Sequence, residues 1–123
     1  MNVALWIAQI LLAAVFLLAG FVKSTRSRQD LSGQMPWVES FSDGQVRTIG
    51  ILELLAGIGL ILPAATGILP VLAPLAAVGL VITMIGAIAV HLRRKEYPGI
   101  AINVVFLVLA AFVAWGRFGP YAF

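Results

Sequence analysis

A chain of 123 residues that is 62% apolar, with a mean hydropathy of +1.07, has the length of one compact domain and lies well outside the composition of water-soluble ones. Eight Lys and Arg against five Asp and Glu give a net charge of +3. No basic groove interleaved with stacking aromatics accompanies that charge, which excludes nucleic acid as a partner and points to anionic headgroups. The absence of cysteine excludes thiolate catalysis, disulfide exchange and cysteine-ligated iron–sulfur or c-type haem centres.

The first apolar run spans residues 3–22, and its only strongly polar member is Gln9. A hydrocarbon core about 30 Å thick needs about 20 helical residues at about 1.5 Å each, so residues 3–23 are predicted to span the membrane. The run lacks a basic leader, exceeds the usual length of a signal-peptide core and ends in no A-x-A site. It is therefore expected to stay as a membrane helix rather than be cleaved.

The segment that follows is polar up to Gln34 and then carries Met35, Pro36, Trp37, Val38 and Phe41. Pro36 suits the first turn of a short helix, which would place Trp37, Val38 and Phe41 on one face. That segment has two readings: an aromatic anchor for the loop, or a lid over the polar residues below it with Trp37 touching a ligand.

Ser42-Asp43-Gly44 reads as a turn and helix start. The second span, residues 46–65, carries Glu53 deep inside it. Pro63 to Pro70 reads as a tight turn. The third span, residues 70–92, tolerates Pro74 in its first turn and reaches His91 near its end. Glu96, Pro98 and Gly99 mark the last turn, and the fourth span, residues 99–117, contains Asn103. The predicted fold is all-α: one domain, residues 1–123, forming a four-transmembrane-helix bundle with a short amphipathic interfacial segment in the first cytoplasmic loop. A water-soluble bundle would need a polar stripe on each helix, and these runs have none.

Charge sets the expected topology. The first and third loops share Lys23, Arg26, Arg28, Arg47, Arg93, Arg94 and Lys95, whereas the opposite side has Arg117 and the terminal amine. The positive-inside rule then puts both charged loops in the cytoplasm and both termini outside.

The helix faces are expected to converge. Gln9, Ala13, Phe16, Gly20 and Lys23 share one face of the first helix, and Gly50, Glu53 and Gly57 one face of the second. Gly79, Thr83, Ala87 and His91 recur at four-residue spacing in the third. Asn103, Leu107, Ala110 or Ala111, and Ala114 line up in the fourth. Small residues permit close helix approach in lipid, so each helix is expected to turn its polar and small residues inward.

An ionisable group facing acyl chains costs about 2.5–3.5 kcal/mol on insertion scales. Glu53 therefore either pairs with Lys23 or His91 and fixes helix register, or stays protonated in an apolar site, or handles a proton or ligand. His91 is either a headgroup contact near the helix end or a proton-exchange partner of Glu53. Lys23 is a snorkelling anchor, a counter-ion for Glu53 or a ligand contact. Asn103 is interhelical glue or a ligand contact. Gln9 is expected as structural glue and Arg117 as an interfacial anchor with Trp115 and Phe118. One histidine and one carboxylate are too few for a metal site, so none is predicted.

The residues Gln9, the A-G-F-V-K ending at Lys23, Met35-Pro36-Trp37, Gly50 through Glu53 to Gly57, the G-L-I-L-P ending at Pro63, His91-Leu92-Arg93-Arg94, Asn103 and Trp115-Gly116-Arg117 together resemble the DoxX-like family of small four-helix membrane proteins. The family takes its name from a subunit of a thiosulfate:quinone oxidoreductase. Other relatives are associated with quinone or thiol stress and membrane redox complexes, and eukaryotic ones with receptor assembly. The resemblance implies a bacterial inner-membrane protein, with Lys23, Glu53, His91 and Asn103 part of the family's pattern.

The expectation that results is a quinone- or redox-associated membrane subunit. Glu53 and His91 are its candidate catalytic residues, Lys23, Asn103 and Trp37 its candidate ligand contacts. A non-covalent quinone is the possible cofactor, and a redox partner subunit or a second copy of the chain the possible partner besides the bilayer. The alternative is a non-enzymatic assembly or scaffold protein whose polar cluster is structural. A permeation pathway is disfavoured, because the outer half has no polar lining beyond Gln9.

Overall fold

The computed structural model describes residues 2–25 and 41–122; Trp37, expected over the bundle, lies outside them. The described residues form four helices: α1 (Asn2–Thr25), α2 (Asp43–Thr66), α3 (Leu72–Arg94) and α4 (Tyr97–Phe118). Each is long and apolar enough to cross a membrane. They pack as two hairpins, α1 against α2 and α3 against α4, closed into a ring by α2 on α3 and α1 on α4.

Local chemistry sets the helix ends. Ser42 caps α2 through a reciprocal box: its Oγ accepts from the Gln45 amide at 3.1 Å, and Gln45 Oε1 accepts from the Ser42 amide at 2.9 Å. Two of the orphan N–H groups of the first turn are thereby satisfied. Pro98 sits in the first turn of α4, where its missing N–H costs nothing.

The core is narrow. Leu12, Ala13 and Phe16 of α1 meet Leu60 of α2, Leu80 of α3 and Val113 of α4. Outside this core, large apolar side chains such as Leu18, Leu55, Ile82 and Val108 face outward. Lipid tails are as apolar as leucine, so this surface is solvated by the bilayer, and helix association falls to close packing and hydrogen bonds.

Closest approach occurs between α1 and α2. A Cβ on Gly20 would lie 2.5 Å from the Gly50 carbonyl oxygen and 2.7 Å from the Leu54 amide nitrogen. One on Gly50 would lie 2.6 Å from the Ser24 nitrogen. Only glycine fits at both positions, because the obstacles are backbone atoms.

In α3 the expected inward face is displaced. Gly79 is exposed, with nothing within 4 Å of where its Cβ would be, and the buried residues are Ala73, Pro74, Ala77, Leu80 and Met84. A strict four-residue repeat advances about 40° per step on a helix of about 3.6 residues per turn. The stripe from Gly79 to His91 therefore winds around α3, reaching the interior only at Thr83, Ala87 and His91. In α4 the open choice at 110 or 111 resolves to Ala110, which is buried while Ala111 is exposed.

Candidate functional site

The interior of the bundle is divided between its two ends. Toward the ends of α1 and α3 and the starts of α2 and α4, the helices enclose a cavity of about 490 Å³, whose lining includes Lys23, Glu53, Thr83, His91 and Asn103. Phe16, Met84, Val90 and Phe106 supply apolar wall, with Phe16 and Phe106 packed edge to face at 5.6 Å between centroids. Phe41, from the segment preceding α2, also lines it. A volume of this size lies within the range of about 300–1,000 Å³ of small-molecule sites.

Glu53 is 2% exposed. The Gly20–Gly50 crossing brings the last turn of α1 alongside it, and Lys23 Nζ donates to Glu53 Oε1 at 2.6 Å. Of the sequence alternatives for Lys23, the structure has the counter-ion and not the snorkelling anchor. The second carboxylate oxygen, Oε2, is buried and has no hydrogen-bond partner.

His91 pairs elsewhere. Lys95 adopts a left-handed conformation (φ 56°) after α3. The Glu96 amide then bonds back to the His91 carbonyl at 2.9 Å, and the Lys95 amide to that of Leu92 at 3.3 Å, the paired bonds of a Schellman turn. This turn folds Glu96 over His91, so that Nδ1 and Glu96 Oε1 are 3.0 Å apart. Arg94 Nε donates to the other Glu96 oxygen at 3.3 Å. A Cβ at Gly99 would meet the His91 ring at 2.8–3.0 Å, so the bare glycine provides the seat for the imidazole.

Glu96 is the site residue that sequence reasoning missed. Its i, i+5 spacing from His91 carries no helical-face signal, and glycine is the usual marker of such a turn. Asn103 is half-buried beside the cavity; no interhelical hydrogen bond from it is present among the described residues, so the glue reading has no bond behind it. The described residues contain no group of three or more metal-ligating His, Asp or Glu side chains.

The other end of the bundle is tied by buried hydrogen bonds. Gln9 donates through Nε2 to the Leu60 carbonyl at 2.7 Å, and its Oε1 accepts from Arg117 Nε at 2.8 Å. Arg117 Nη1 donates to Asn2 Oδ1 at 2.6 Å and to the Tyr121 carbonyl at 2.9 Å, and the guanidinium lies 5.6 Å from the Trp6 ring centroid. Arg117 is 3% exposed and differs from the expected interfacial anchor. The amide of Gln9 and the carbonyls at the chain ends solvate the guanidinium inside the bundle, which makes burial tolerable.

Gln9→Leu is expected to destabilise the fold by about 1–3 kcal/mol, because a buried donor and a buried carbonyl each lose a partner. Denaturant unfolding in detergent reads this loss. Ligand binding at the opposite end should be unchanged.

A multi-pass membrane protein with a polar cavity at one end of an apolar four-helix bundle is the class this geometry defines. The chain belongs to the DoxX-like family, whose sequence profile matches residues 7–113. Neither curated proteins nor solved structures give a significant match.

Proposed function

We propose that this membrane protein is a quinone-binding, redox-associated subunit whose ligand head occupies the Lys23–Glu53–His91–Asn103 cavity. The observation that carries the reading is Asn103: a half-buried amide with hydrogen bonds to spare, facing a cavity with aromatic and aliphatic walls. A flat apolar ring with polar oxygens matches both features. The walls take up the ring and exclude water, Asn103 orients an oxygen, and Glu53 and His91 hold or move protons there. A quinone would supply the electron chemistry, since the chain has no cysteine to do so. Electrons would pass to or from a partner subunit.

Orientation follows from charge. The cavity end carries Arg47, Arg93, Arg94 and Lys95, while Arg117 at the other end is buried. The positive-inside rule then favours a cavity near the cytoplasmic face of a bacterial inner membrane, with both termini outside.

Mass spectrometry of protein purified in native lipid is expected to detect a co-purifying quinone, and added short-tailed quinones should raise the unfolding temperature. Asn103→Leu should weaken that binding about tenfold, in line with the loss of a buried hydrogen bond, and leave unliganded stability nearly unchanged. Absence of a co-purifying quinone, together with no thermal response to added quinone in the wild type, refutes the proposal. A second reading, an assembly scaffold, draws on the Lys23–Glu53 ion pair, which ties α1 to α2. It predicts that the pair matters for folding and partner assembly alone.

A further inference from the structure

We propose that the cavity prefers the reduced, hydroxyl-bearing form of its ligand, a quinol head, over the oxidised quinone; this preference rests on the quinone reading above. The balance of donors and acceptors around the cavity carries it. Glu53 is 2% exposed and lines the cavity. Its Oε1 receives the Lys23 ammonium at 2.6 Å, while Oε2 is buried without a partner. A carboxylate held in this way offers only lone pairs at Oε2.

A neighbouring hydroxyl leans the same way. Thr83 donates its hydroxyl proton to the Gly79 carbonyl at 2.8 Å, which leaves Oγ1 as an acceptor. His91 Nδ1 lies 3.0 Å from Glu96 Oε1. Glu96 also receives Arg94, and a carboxylate so held accepts only, so Nδ1 of His91 donates to it. Asn103 alone offers donor and acceptor together.

Two acceptors, Glu53 Oε2 and Thr83 Oγ1, therefore line the cavity beside the Asn103 amide and the Lys23 ammonium, and the buried Oε2 carries the preference because nothing donates to it. The carbonyls of a quinone are acceptors and leave Glu53 Oε2 without a donor when the cavity closes on them. A quinol carries two hydroxyl donors, one for Oε2 and one for the remaining lone pairs. A buried charged acceptor left unpaired weakens binding about tenfold or more.

Duroquinone and duroquinol have the same ring and methyl groups and differ in the two protons and two electrons. Calorimetric titration of the full chain in lipid nanodiscs, without oxygen and at one fixed pH, compares them directly, with empty nanodiscs as the partition reference. Duroquinol is expected to bind about tenfold more tightly, which raises the midpoint potential of the bound couple by about 30 mV. In Glu53→Gln the Lys23 ammonium selects the amide oxygen, so the new NH₂ takes the place of Oε2 and the preference should shift toward duroquinone.

Equal affinities in the wild type, or tighter binding of duroquinone, overturn the inference and leave the quinone site standing. Binding of neither form overturns the quinone reading and this inference with it. The wild-type ratio decides the matter whether or not Glu53→Gln folds.

Discussion

Gly50→Ala is expected to destabilise the bundle by about 3 kcal/mol, the upper end of overpacking costs, although it adds a single methyl group. The new Cβ would lie 2.6 Å from the Ser24 nitrogen, 2.8 Å from Lys23 Cβ and 2.9 Å from the Gly20 carbonyl oxygen. None of these is the end of a flexible side chain, so the strain is relieved only by separating α1 from α2. Separation also draws Lys23 away from Glu53, and ligand binding should fall with stability. Gly79→Ala is the matched control: its Cβ would enter open space, and replacing a helix-interior glycine there is expected to stabilise by about 0.5–1 kcal/mol. Unfolding in detergent measures both. Equal melting of the two variants would remove the Gly20–Gly50 crossing as the determinant of the α1–α2 fit.

The second large effect concerns the Lys23–Glu53 pair. Lys23→Met leaves a carboxyl group that is 2% exposed without its ammonium, and loss of one partner of a buried pair costs about 3–5 kcal/mol. Glu53→Leu removes the carboxylate that Lys23 binds; the lysine side chain is 13% exposed, and this opening to the surface should make the loss smaller. The double variant Lys23→Met/Glu53→Leu removes both desolvation penalties and is expected to recover most of the stability, since apolar replacements of buried pairs are often neutral or better. A double-mutant cycle in unfolding free energy tests the coupling.

The same variants separate the two functional readings. With chemistry at the site, the refolded double variant binds no quinone despite normal stability. With a scaffold role, recovered stability restores partner assembly as well.

Much of the fold was legible in the sequence. Four apolar runs of spanning length correspond to the four helices, although α2 continues through Pro63 to Thr66 and α4 already begins at Tyr97, so both turns are shorter than the expected Pro63 to Pro70 and Glu96 to Gly99. The faces of α1 and α2 were also legible, because each carries a polar residue in line with small ones: the stripe Gln9, Ala13, Phe16 and Gly20 and the set Gly50, Glu53 and Gly57 are buried. The face of α3 was less so. It has no charge until His91, and a repeat of four drifts around a helix whose period is about 3.6. Arg117 looked interfacial beside Trp115 and Phe118, yet the groups that bury it, Asn2 and the Tyr121 carbonyl, come from opposite ends of the chain.

By itself, the sequence determined that four helices span a membrane and that their few polar side chains cluster at the two ends. Hydrocarbon leaves backbone groups no outside partner and makes charged side chains costly, so apolar length and the position of each polar residue already constrain the outcome. Only the tertiary structure decided the pairings: Lys23 with Glu53, His91 with Glu96, and Gln9 with Arg117. Those depend on backbone approach at Gly20 and Gly50, on one left-handed residue at Lys95, and on helix rotation within the ring. Helical period states which residues share a face, but packing sets which faces meet.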